Sequence, residues 1–265
     1  SDGMLHDLPM GVLVNEGSLT LRGAGATFTA APAVTVGSSA SPASLLLQGN
    51  ETFGKLAGNA SGSVGLGGAT LTTGNGGDSV FTGVITGGNA SALVKQGSGS
   101  FTLAGTNTYT GTTTVDAGSL AVSGSLVSPT LQVNNGGNLA LMGSDVLAST
   151  AALTVATGGS ASLAGTQSLG SLALAGTLTG NGTLTASTYA LNSGLTTQNA
   201  HLGGGALTSS GSSTLNGTGA ANTVTVDDGT LTLRSGGGTL TAAPAVTVGT
   251  LASPATLVLL GNETF

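Results

Sequence analysis

The chain of 265 residues contains no cysteine and no tryptophan. Disulfide frameworks, thiol catalysis and cysteine-based zinc or iron–sulfur centres are therefore excluded. Charge is scarce as well: 4 Lys and Arg and 10 Asp and Glu make up 5% of the chain, where an ordinary soluble domain carries about 25%. A net charge of −6 without a basic cluster argues against nucleic acid, whose binding needs Lys and Arg to neutralise phosphates. No apolar run approaches the roughly 18 residues of a membrane-crossing helix, so no membrane-spanning segment is expected in this stretch. No signal-peptide pattern opens the chain.

Small residues fill the space left by these absences. Gly, Thr and Ser (48, 42 and 30 residues) form 45% of the sequence. Such a composition often means disorder. Here 39% of the residues are hydrophobic, and they recur in short alternating runs such as LTLRG at 19–23, AVTVG at 33–37, FTLAG at 101–105 and LALAG at 172–176. Alternation with period two, broken by Gly or Asn every 8–12 residues, is the pattern of strands and tight turns. Abundant Gly, Thr and Val, and the lack of a clean 3.6-residue period, exclude a helical fold.

Residues 12–53 align without gaps to residues 224–265, with 29 identities in 42 positions at a constant offset of 212. The sequence is thus expected to hold a lead-in at 1–11, one 212-residue unit at 12–223, and the start of a second copy at 224–265, as a slice of a longer tandem array. A smaller motif, V-[ND]-x-G-x-L, recurs at 14–19, 115–120 and 226–231, and with one extra residue at 133–139. It reads as strand, corner, strand. Asn or Asp bonds its own backbone, and Gly takes the left-handed conformation that closes the corner. Many such strands without helical crossovers or long Greek-key connections point to an all-β solenoid rather than a sandwich. At roughly 20 residues per coil the chain makes about 13 coils. Sixteen residues are expected to point inward and stack: Leu19, Leu21, Val34, Val36, Leu45, Leu47, Leu103, Val115, Leu120, Val122, Leu172, Leu174, Val226, Leu231, Val246 and Val248.

The segment LVKQGSGSFTLAGTNTYTGTTTVDAGSLAVSG at 93–124 resembles the passenger-associated repeat of bacterial autotransporters. The residues that carry the likeness are Gly97, Gly99, Leu103, Gly105, Asn107, Tyr109, Gly111, Thr113, Val115, Gly118 and Leu120. Residues 176–233 resemble the haemagglutinin-like repeats of very large surface and matrix proteins. Both resemblances imply a right-handed parallel β-helix exported across the outer membrane of a Gram-negative bacterium, hence an extracellular or outer-surface location. The lack of Cys suits such export, because a periplasmic disulfide would obstruct threading through a pore.

A β-helix can host glycan-cleaving sites, which need paired carboxylates or a carboxylate cluster. The adjacent acids Asp227 and Asp228 are matched by Asn15 and Glu16 in the first unit, and Asp116 and Asn134 hold related corner positions. Exchange of acid for amide preserves a turn and destroys acid–base chemistry, so these are expected to be corners. Glu51 and Glu263 recur in GNETF and are expected at a turn or coil edge. His6 and His201 are expected at solvated or edge positions, and Arg22, Arg234, Lys55 and Lys95 as solvated charges at corners or guards against edge pairing. Phe101 and Tyr109 are expected to stack between coils. No catalytic, cofactor-binding or metal-binding residue is assigned, and no cofactor.

Three functions follow. The expected one is a non-catalytic stalk or filament segment of a large secreted surface adhesin or matrix protein, with further repeats of the same chain or identical subunits as partners, end to end or laterally. The second is an adhesin module that binds a protein or a cell-surface or matrix glycan, with a threonine-ranked ice-binding face as one version. The third is a carbohydrate-active β-helix enzyme.

Overall fold

The computed structural model describes residues 11–22, 28, 31–196, 199–234, 240–249 and 253–261. Among them run 31 strands and no helix. The chain divides into two compact units, one of residues 1–131 with 137–139 and one of residues 132–136 with 140–265.

In the first unit each strand pairs in parallel with a strand about one coil further along. Val12–Val14, Ala33–Val36 and Lys55–Ala57 lie side by side, as do Gly17–Leu21, Ala43–Leu47, Gly62–Gly65 and Val84–Thr86. Further along, Glu51–Phe53, Thr70–Thr73, Ala92–Lys95 and Thr113–Val115 form one stack, and Ser79–Phe81, Ser100–Leu103 and Gly118–Val122 another. The second unit repeats the arrangement. Ala152–Val155, Gln167–Leu174, Thr183–Asn192, Ala206–Ser210, Thr223–Val226 and Ala245–Val248 make one face. Ser160–Leu163, Thr177–Gly180, Leu195–Thr196, Ser212–Leu215, Gly229–Leu233 and Ala255–Leu259 make the other. The fold is a parallel β-solenoid of about 12 turns, close to the coil number expected from the sequence.

Period two in the sequence becomes inside and outside. In the second unit Leu153, Leu172, Tyr189, Leu207 and Val224 stand in register through five successive turns, each at most 1% exposed. Each such side chain contributes roughly 1.5–3 kcal/mol when withdrawn from water. The corner glycines behave as the motif requires. Gly17, Gly118 and Gly229 have φ of 72°, 64° and 64°, a conformation that costs a residue with a Cβ about 1–2 kcal/mol.

Of the sixteen residues expected inside, thirteen are buried, Leu19 and Val246 are half-buried, and Val248 is 43% exposed. These exceptions share a cause. Each lies on a strand that has, among the described residues, a sheet neighbour on one side only: Gly17–Leu21 for Leu19, and Ala245–Val248 for the two valines. The pairings at both sites have the same register at an offset of 212: Val34 faces Val12 and Val246 faces Val224, while Leu47 faces Leu21 and Leu259 faces Leu233. In the first copy the turn containing Lys55–Ala57 and Gly62–Gly65 covers the next edge, with Leu56 on Val34 and Val64 on Leu45. There Val34, Val36, Leu45 and Leu47 are at most 1% exposed.

Candidate functional site

The region with the richest buried chemistry spans two turns of the first unit, from Ala92–Lys95 to Gly118–Val122. Phe101 and Tyr109 are fully buried. Phe101 stands in register with Ser79 on one side and Leu120 on the other. Tyr109 Oη lies 2.7 Å from the buried hydroxyl of Thr113, and burial pushes its phenol well above the ordinary tyrosine range. Phe101 thus stacks between turns, as expected, while Tyr109 is buried and bonded within its own turn.

Asn107 is fully buried and spans three turns. Its Oδ1 accepts from Ile85 N (3.1 Å), and its Nδ2 donates to Gly105 O (3.0 Å) and Ser125 O (3.2 Å). The amide therefore bonds backbone groups of three successive turns, with Gly105 O also accepting from Ser125 N. Gly111 permits the closest approach: a Cβ there would lie 1.7 Å from the Ser91 carbonyl oxygen. In the same corner, Gly111 O accepts from Ser128 Oγ at 2.6 Å.

Lys95 overturns the expectation of a solvated charge. It is fully buried, on the inward side of its strand, in register with Thr73 and Val115. Its Nζ donates to three backbone carbonyls: Gln96 O at 2.7 Å, Gly97 O at 2.9 Å and Ala117 O at 3.0 Å. Burial holds its pKa below the ordinary lysine range, opposed by the negative charge of Asp78. Glu51 is the other surprise. It stands on the edge strand Glu51–Phe53 of its sheet but is only 1% exposed.

Residues 93–122 match the family model described as passenger-associated-transport-repeat. The chain carries this repeat. Together with the solenoid, it fits an autotransporter passenger repeat protein. The family implies a secreted, surface-exposed protein. No curated protein and no solved structure matches the chain.

The remaining sequence candidates do not converge. Asn15, Glu16, Asn134, Asp227 and Asp228 are exposed at corners, and Asp228 Oδ1 accepts from Gly211 N at 2.6 Å. Arg22 and Arg234 are exposed, while Lys55 and Asp116 are half-buried. His201 is half-buried beside Thr218, whose hydroxyl lies 2.7 Å from its Nδ1. His6 and Glu263 lie outside the described residues. Among the described residues no three His, Asp or Glu side chains gather as metal ligands. The six T-x-T motifs behind the threonine-ranked reading fall on different faces: 70–72, 183–185 and 223–225 lie on one set of strands, 177–179 and 230–232 on another, and Thr239 of 239–241 lies outside the described residues.

Two features of the second unit carried no sequence signal. Gln167, fully buried, plays a role like that of Asn107, accepting from Val146 N at 3.1 Å and donating to Gly143 O. A surface groove of about 570 Å³ is lined by Ser168, Thr185, Ser187, Asn222 and Thr223 above the buried Leu169 and Ala186. It opens where Thr183–Asn192 pairs with His201–Leu202 along its first half and with Ala206–Ser210 along its second.

Proposed function

We propose that the chain is a non-catalytic stalk segment of a secreted adhesin or matrix protein at the outer surface of a Gram-negative bacterium. One observation carries this reading: in the passenger repeat, the polar groups that resemble site chemistry face inward, and two of them, Asn107 and Lys95, hold neighbouring turns together. Asn107, Tyr109, Thr113 and Lys95 are all fully buried with protein partners. The 212-residue unit is the element such a stalk would multiply. Electron microscopy of chains with one and two units tests this. The particle should lengthen by a constant increment per unit; an unchanged length would overturn the stalk reading.

The stalk reading extends to partners. Val248 and Leu259 are 43% and 41% exposed on edges whose first-copy counterparts are covered, which supports docking of a further turn from the same chain or an identical subunit. Hydrogen exchange at 245–248 and 255–259 should slow when a second full unit is appended, and unchanged exchange would remove this support.

The groove in the second unit favours one alternative, an adhesin module for a neutral glycan. Its lining offers hydroxyl and amide groups and no charge, chemistry that suits a polyhydroxylated ligand rather than an anionic one. Binding to uncharged oligosaccharides that disappears in Ser187→Ala/Asn222→Ala would support it, and no binding would leave the stalk alone.

A further inference from the structure

Lys95 occupies an unusual place for a charge, and the backbone around it explains how it is tolerated. The side chain leaves the inward side of Ala92–Lys95 between Thr73 and Val115. Its stem passes where Gly74 has no side chain, since a Cβ there would lie 2.8 Å from Lys95 Cδ and 2.9 Å from Cε. At the end of the stem three carbonyl oxygens converge at 2.7–3.0 Å on an ammonium that has three protons to donate. Backbone carbonyls that replace a hydration shell are the means by which proteins hold small monovalent cations.

Two of the three oxygens come from the corner that follows Lys95, at Gln96 and Gly97, and the third, Ala117, comes from the corner one turn later. The site is therefore complete only when the two turns are stacked. With the ammonium removed, these half-buried carbonyls would lose their charged donor, and the emptied space under them is lined by a side-chain column that offers no replacement charge. A second polar group faces the same column: Thr73 Oγ1 is buried, has no hydrogen-bond partner and stands in register with Lys95.

We propose that the Gln96, Gly97 and Ala117 carbonyls form a monovalent-cation site whose occupant is the chain's own Lys95 ammonium, and that this makes Lys95 the lock between two successive turns of the passenger repeat. The role needs charge at the end of a stem of fixed length, so an apolar side chain of similar size cannot perform it. Lysine enters here as a compact point charge with three donors, which a planar guanidinium does not reproduce.

The chain's lack of cysteine permits a direct test. Lys95→Cys would carry the sole thiol. Alkylated in the unfolded state with 2-bromoethylamine, it gives a lysine-length side chain ending in ammonium; alkylated with 1-iodopropane, it gives the same length ending in methyl. After refolding, amide exchange is read at Asp116 and Ser119, which donate to Lys95 O and Gly99 O across the two turns. The aminoethyl adduct should exchange at the parent rate, and the propyl adduct at least tenfold faster. Lys95→Met, read in the same way, should also exchange at least tenfold faster than the parent. Equal behaviour of the two adducts, whether both fold or both fail to fold, overturns the proposal, as does Lys95→Met exchanging within twofold of the parent.

Discussion

Gly111→Ala isolates the steric demand of stacked corners from the conformational demand. Gly111 needs no left-handed backbone, so the substitution adds a methyl group and nothing else. That methyl would lie 1.7 Å from Ser91 O and 2.5 Å from the carbonyl carbon, roughly 1.5–2 Å inside ordinary contact. Relief requires the corner to move by a comparable distance, and hydrogen bonds flank it on both sides. Thr110 N donates to Gly87 O at 3.2 Å, Leu93 N to Thr112 O at 3.0 Å, and Ser128 Oγ to Gly111 O at 2.6 Å. Loss of two of these with buried partners costs about 2–4 kcal/mol, and overpacking adds about 1–3. The expected destabilisation is about 3–7 kcal/mol. Gly88→Ala is the control, since a methyl group there would meet nothing within 4 Å and its cost should stay within about 0.5 kcal/mol. Urea unfolding followed by tyrosine fluorescence suits the measurement, because Tyr109 falls in the first unit and Tyr189 in the second. The loss should appear in the Tyr109 transition. Gly111→Ala unfolding within about 1 kcal/mol of Gly88→Ala would refute the reasoning.

Asn107→Ala should cost about 2–4 kcal/mol, because it removes the side-chain partner of Ile85 N and Ser125 O, while Gly105 O keeps its bond from Ser125 N; a loss below about 1 kcal/mol in urea titration would contradict the three-turn role. Leu47→Ala should cost about 2–5 kcal/mol, whereas Leu259→Ala, its counterpart at offset 212 and 41% exposed, should cost under about 1; equal losses would break the link between burial and a covering turn. At alkaline pH both tyrosines oppose the folded state. Burial raises Tyr109 and Tyr189 above the ordinary range, so their contribution is complete below the unfolded value of about 10 and is lost as pH rises past it. Phenolate absorbance should therefore appear together with unfolding rather than before it, and a separate titration near pH 10 in the folded protein would speak against burial.

The solenoid was legible because its signals are local and repeated. Alternation placed Leu21, Val36, Leu103 and Leu174 inside, and the V-[ND]-x-G-x-L motif located the left-handed corners at Gly17, Gly118 and Gly229. Lys95 was misread for a physical reason. The alternation Leu93-x-Lys95 placed it inward, but a lone charge in a core is prohibitive unless backbone oxygens meet it, and the sequence does not display carbonyl directions. Gln167 and Glu51 were hidden in the same way, as polar residues at inward positions. Exposure of Val248 depends on which strand lies beside it, and no residue within Ala245–Val248 encodes that.

The direction of the hydrogen bonds has a mechanical consequence. In each unit the ladders join a turn to the next, so they point along the stacking direction. A pull along that direction loads the ladders one after another rather than all at once, and the end turn peels first. Each turn of about 20 residues then releases up to roughly 70 Å of chain. Under tension such a unit behaves as a dissipative tether that yields in small steps. Asn107 and Lys95 tie turn to turn through side chains, so the passenger repeat would be the stretch where the force must rise before the next step.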